Sequence, residues 1–372
     1  MKHNLTLVLN LLFVLAFLPS LAQNQTNEEL KKNLLKDIFE NPDRVIVDTQ
    51  KLIDQNTDQH VVAGYYIIMS DAYMSKRDYT SALKTLENAD KIIPNDNSLK
   101  TQFNTIKLKN KLASLYFQMS MYEKAISQIE NYMPIFDGLP KVDSITLVKG
   151  STSALKGLIY REKLGCEIAI PYFEEALEIY KNIDTKAAKI NSSIVYYNYA
   201  KCLLQAGNSE TAIKFHTLSY NLGSQVGKGS LQAYPLKGLA NVYFYKGDTF
   251  KALEYLAKAE DISKDVGDRI LRKGIYDDFS EIYLKLGDKK NFNIYNSKAN
   301  IERELVRKSQ LNYITSSLNT VLLTEEENLK ESKKQFDVKF YTTIFIFIVL
   351  IISILIILLK IKNRIKKINI SI

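Results

Sequence analysis

The chain has 372 residues, 46% of them hydrophobic and 24% charged, which excludes a disordered or fibrous class and leaves ample apolar material for a large core. Its formal charge of +9 is concentrated at the ends: without Lys2 and five cations beyond residue 359, residues 23–339 carry only +3. A basic surface built for nucleic acid is therefore excluded as the origin of the high pI, and no nucleic-acid partner is expected.

The first element is an apolar run, LTLVLNLLFVLAFL, preceded by Lys2 and followed by PSLAQ with Ser20 and Ala22 at small-residue positions. Residues 1–22 read as a secretory signal cut before Gln23, the competing reading being an uncleaved anchor. No Cys follows the cut, so it is not a lipoprotein signal. Residues 23–59 then hold a divergent helical pair, broken at Asn41-Pro42, that is expected to cap the open end of a helical stack.

Residues 60–300 repeat themselves. Leu236, Leu239, Ala240, Tyr243, Gly247, Ala252, Leu256 and Ala259 mark one unit, and the same frame returns around Tyr73, Tyr116, Tyr160, Leu203 and Tyr283, at spacings of 43, 44, 43, 40 and 40 residues. Apolar residues three and four apart predict a helix, a short turn at Gly, Lys or Arg, and an antiparallel second helix. Small residues fall where those helices cross, Ala82, Ala125, Ala169, Ala212 and Ala252 among them, so that backbones can approach while Tyr, Leu and Phe fill the gaps.

This frame resembles the tetratricopeptide repeat, with the longer period of about 40 residues found in sensor-type members. The match is fullest from Leu236 to Ala259. It departs at Phe292, which replaces the second-helix Ala of the last unit, at Leu203, which replaces Tyr, and in the absence of Trp. The resemblance implies an all-α fold: an α-solenoid of about six helix-turn-helix repeats, a long C-terminal helix and one transmembrane helix.

The family's inner face is lined by the first helix of each pair, and carrying that frame over selects Asn110, Arg161, Tyr197, Lys201, Lys237, Asn241, Tyr245, Asp277 and Glu281 as the expected protein- or peptide-binding surface. Amides and cations there suit backbone carbonyls and carboxylates, and tyrosines offer flat area with a polar tip. Lys237 and Asn241 also occupy the places where family members clamp a C-terminal carboxylate. The clamp is not expected here, because Asp278 stands in the next unit where an amide is needed.

Residues 301–339 contain neither Pro nor Gly, and Ile301, Leu305, Leu311, Ile314, Leu318, Val321 and Leu322 recur at helical spacing. Residues 301–322 read as a terminal cap, with pairing to a second copy as a coiled coil the alternative; 324–334 reads as a solvated stalk. The uncharged run FYTTIFIFIVLIISILIILL, residues 340–359, matches one hydrocarbon thickness at about 1.5 Å per residue. Lys360, Lys362, Arg364, Lys366 and Lys367 in the tail 360–372 place it in the cytoplasm, and the repeats in the periplasm on the far side of a bacterial inner membrane.

Chemistry is scarce. The three His residues, His3, His60 and His216, are scattered, and no nucleophile, metal or phosphate-loop signature occurs, so neither enzyme activity nor a cofactor is expected. Cys166 and Cys202 are expected to be two buried small apolar residues, with a disulfide the alternative. The layout resembles the sensor half of membrane-bound Bacteroidetes regulators, in which a DNA-binding or kinase module follows the span. Thirteen residues are too few for such a module, so the expectation is a binding scaffold or sensor, with a truncated or split regulator as the second reading.

Overall fold

The computed structural model describes residues 34, 37, 38, 41–264 and 266–370, with the side chains of 309–328 and 362–370 excepted. The signal at 1–22, the start of the 23–59 cap, the 309–322 part of the proposed cap or coiled-coil seam, and the tail cations Lys362, Arg364, Lys366 and Lys367 lie outside that description. Among the described residues every regular element is helical. Two units divide between Tyr313 and Ile314.

The first unit is a run of antiparallel pairs: α1 (Pro42–Gln55) packs on α2 (Gln59–Ser75), which pairs with α3 (Tyr79–Ile92), then α4 (Leu99–Gln118) with α5 (Tyr122–Tyr132), and α6 (Asp143–Leu164) with α7 (Cys166–Tyr180). It continues with α8 (Lys186–Gln205) and α9 (Ser209–Val226), α10 (Gly229–Tyr245) and α11 (Thr249–Ser263), and α12 (Arg269–Lys285) before α13 (Lys289–Ile370). Each first helix also packs on the first helix of a neighbouring pair, which makes the stack a solenoid.

Local chemistry explains where the helices begin. Asp58, Asp78, Ser98, Asn208, Asp248 and Asp268 each accept backbone N–H bonds from the first turn of the helix they precede, satisfying donors that a helix start leaves open. The turns inside pairs need a left-handed residue just after the first helix. Gly207 (φ 79°), Gly247 (φ 85°) and Gly287 (φ 73°) supply it without a Cβ clash, yet Arg77 (φ 61°) and Ser120 (φ 58°) hold the same conformation.

The predicted small residues are spent on packing. Ala82, Ala125, Ala169, Ala212 and Ala252 have no exposed area, and one turn further along each second helix the core receives Leu86, Ile129, Phe173, His216 and Leu256. Four of those five are apolar. Opposite them the first helices come very close: a Cβ on Gly157 would lie 2.6 Å from the Phe173 ring, and one on Gly238 would lie 2.2 Å from the His216 ring. No rearrangement of a ring alone would make that room.

The cysteines correct an expectation. Cys166 and Cys202 are a disulfide rather than two separate apolar residues, with Cα atoms 5.2 Å apart. The cause is the contact of each second helix with the next first helix: α7 packs along α8, which brings the start of one beside the later turns of the other, within bridging range. Cys202 is fully buried, whereas Cys166 is only half-buried.

In the second unit the helix runs through Leu329–Ile361, which holds an 18-residue stretch of mean hydropathy 3.4 and is by length and composition sufficient to cross a membrane. Its large side chains, Phe345, Ile348, Ile352 and Leu359 among them, are exposed along this stretch.

Candidate functional site

A cleft of about 880 Å³ runs along the first-helix face of the first unit. The first helices α2, α4, α6, α8, α10 and α12 all contribute to it, and Leu305 and Val306 of α13 close one side. Its apolar surface comes from Leu158, Ile190, Ile194, Pro235 and the rings of Tyr197 and Tyr234. A second hollow of about 510 Å³ shares Met74, Gln118, Leu158, Ile190 and Ile194 with it, so the two are continuous.

Hydrogen bonds fix the aromatic wall. Tyr197 and Tyr234 lie with ring centroids 5.4 Å apart, and the Tyr234 hydroxyl donates to Asp268 Oδ2 at 2.8 Å. Burial first, and then the Asp268 charge, push the Tyr234 phenol well above its ordinary range, so it remains a donor. Asp268 itself is held by the backbone N–H groups of Ile270 and Leu271, both at 3.0 Å.

Of the residues selected from the sequence frame, Arg161 and Tyr197 line the cleft, and Asn110 lines the second hollow. Arg161 is already engaged by Asn198 and Glu162. Asn110 donates to the Tyr132 hydroxyl and to Thr152 Oγ1, both at 3.0 Å, and thus joins helices together. Lys237 pairs with Asp278 at 2.9 Å: burial works against its charge, and the carboxylate more than offsets this, holding the ammonium above its ordinary range.

Lys201 stands over the Tyr197 ring at 5.9 Å. It keeps accessible surface, yet crowding by protein atoms, followed by the charges of Arg161 and Lys237, draws its ammonium below the ordinary range. Asp277 is taken up by Lys273 at 2.7 Å and Arg303 at 2.9 Å. Tyr245 and Glu281 are exposed, and they, like Lys201, Lys237, Asn241 and Asp277, are not among the lining residues of the cleft.

Three residues of consequence escaped the sequence frame. Arg77 and Tyr234 line the cleft. His216 lies beneath it, between the Tyr197 ring at 5.6 Å and Gly238, and among the described residues neither ring nitrogen has a hydrogen-bond partner. Burial, then Lys201 and Lys237, pull its imidazole down to about 3, so it is neutral at physiological pH. The signals were present: a cation where other turns have glycine, and an imidazole where other repeats bury an aliphatic or aromatic side chain. Among the described residues no group of three or more His, Cys, Asp or Glu is placed to hold a metal.

Family models described as tetratricopeptide repeat match residues 191–265 and 63–96. Those segments coincide with the nested helices α8–α11 and α2–α3. The chain is a tetratricopeptide-repeat protein. Among curated protein sequences no match was found. Solved structures share the fold: the Rap conjugation gene regulator of the plasmid pLS20 in complex with the Phr* peptide is 19% identical, with a TM-score of 0.55 over 76% of this chain and 72% of that one. A Rap protein complexed with competence and sporulation factor is 10% identical (TM-score 0.54; 76% and 86% covered). NprR in complex with its cognate peptide NprX is 13% identical (TM-score 0.52; 76% and 80% covered).

Proposed function

We propose that this tetratricopeptide-repeat protein is a membrane-anchored receptor or scaffold that binds a protein or peptide segment in the first-helix cleft, on the periplasmic side of a bacterial inner membrane, without catalysis of its own. The observation that carries the reading is the cleft itself: about 880 Å³, apolar along its floor, with fixed tyrosines and charged groups at its walls. That combination suits an extended segment whose side chains enter an apolar trough while its backbone meets polar groups. Two structures of similar fold are known with peptides bound, which agrees with a peptide-binding use of the fold. The apolar stretch Leu329–Ile361 and the signal-like residues 1–22 support anchoring and export.

Two experiments test the two halves of the proposal. Crosslinking in cells is expected to trap an adduct of the full chain whose yield falls about tenfold in the Tyr197→Ala/Tyr234→Ala variant, since buried aromatic anchors dominate interfaces of this kind. An unchanged yield would contradict the assigned cleft. Protease added to spheroplasts is expected to digest the repeats, and their protection would contradict the periplasmic placement.

A further inference from the structure

The charge around the cleft is lopsided. Five cations line it, Lys76, Arg77, Arg161, Lys228 and Arg269, against the single carboxylate of Asp268, which is occupied by Tyr234 and by its own helix start. Lys76, Arg161 and Arg269 have carboxylates of their own in Asp43, Glu162 and Glu302. Arg77 differs. No carboxylate among the described residues lies within 4.0 Å of its guanidinium, whose recorded bond is to the Tyr79 hydroxyl at 3.4 Å, although the residue is half-buried.

Its backbone adds a second, independent observation. Arg77 occupies the left-handed turn position that glycine fills at residues 207, 247 and 287, and a residue with a Cβ is disfavoured there. The conformation is thus held against local preference at a residue that lines the cleft. Ser120 holds the same conformation outside the cleft, so what sets Arg77 apart is a guanidinium placed in the cleft from that position.

Resting on the proposed binding function, we infer that the segment taken by the cleft carries a carboxylate, and that Arg77 receives it while the neighbouring apolar side chains of that segment lie along Leu158, Ile190 and Ile194. A planar guanidinium matches a carboxylate with two parallel hydrogen bonds, and a half-buried one with no carboxylate beside it among the described residues gains most from the match. The carboxylate belongs either to an acidic side chain or to a chain terminus.

The test uses the full chain in lipid nanodiscs and three pools of fluorescent random peptides: acidic side chains with an amidated end, no acidic side chain with a free C-terminal carboxyl, and neither. One of the first two pools is expected to bind at least about tenfold tighter than the third, and the better pool identifies the source of the carboxylate. Arg77→Gly is expected to abolish that preference while raising the thermal midpoint, an opposition of signs that misfolding cannot produce. Ser120→Gly relieves the same backbone conformation outside the cleft; it is expected to raise the midpoint and keep the preference. Equal binding of all pools, or a preference that survives Arg77→Gly, would overturn the inference and leave the cleft's binding function standing. Binding of no pool would overturn both.

Discussion

The neighbouring pairs α8–α9 and α10–α11 share one packing frame and part company at its most buried point. Both have glycine in the turn, Gly207 and Gly247, and both bury an alanine, Ala212 and Ala252, in the second helix. One turn on, α11 places Leu256 in the core, whereas α9 places His216, with two ring nitrogens unsatisfied. The first helices differ in parallel, since Lys237 of α10 has Asp278 and Lys201 of α8 has the Tyr197 ring. Repeats agree at the turn and the alanine where they must nest, and they diverge one turn deeper, in the core beneath the cleft, and on the first-helix face beside it.

The largest expected effect belongs to the covalent tie that α8 has and α10 lacks. Replacing both Cys166 and Cys202 by Ala opens a loop of 36 residues and is expected to lower stability by about 4 kcal/mol in denaturant titration, through the unfolded chain's regained freedom. A change below about 1 kcal/mol would mean that α7 and α8 hold together without the bridge. Leu256→Ala should cost about 3 kcal/mol, because the side chain is wholly buried and the surrounding helices cannot close the void.

His216→Leu, which copies the neighbour's solution, is expected to raise stability at neutral pH by about 1 kcal/mol by removing unsatisfied buried nitrogens. Its sharper signature is in acid. The imidazole is depressed from 6.5 to about 3 in the folded state, so below pH 6.5 the unfolded chain binds a proton that the folded chain refuses. Stability conferred by the neutral ring is complete above pH 6.5 and is lost at about 1.4 kcal/mol per pH unit as pH falls toward 3. Denaturation midpoints measured from pH 7 to pH 5, roughly the range where this slope sets in, should fall less steeply in His216→Leu; parallel slopes would place the proton elsewhere. The smallest effect is at the turn, where Gly247→Ala should cost about 1 kcal/mol for putting a Cβ at φ 85°.

The fold was legible because helix crossing demands small residues at a fixed interval, and Ala82, Ala125, Ala169, Ala212 and Ala252 meet that demand in plain sequence. The cleft was legible only in part. Arg161 and Tyr197 project from first helices, where the repeat frame predicts direction well. Arg77 and Tyr234 line one cleft from repeats far apart in the chain, and no local pattern encodes that they share it. Lys237 was legible as a cation, but its partner Asp278 lies on the next first helix, and only the packing of α10 on α12 decides that the charge is spent inside the protein. The cysteines were legible as neighbours; whether their sulfurs bond depends on a few ångströms of helix position.

The most direct test is a photo-crosslinking scan along α8, in which each residue from 190 to 198 is replaced in turn by a photoreactive amino acid and adducts are collected from intact cells. If the first-helix cleft holds the ligand, adduct yield should peak at Ile190, Ile194 and Tyr197, which line it, and drop at Ser192 and at Tyr196, whose ring packs on Phe215 instead. A flat profile, or maxima at Ser192 and Tyr196, would contradict binding in the cleft.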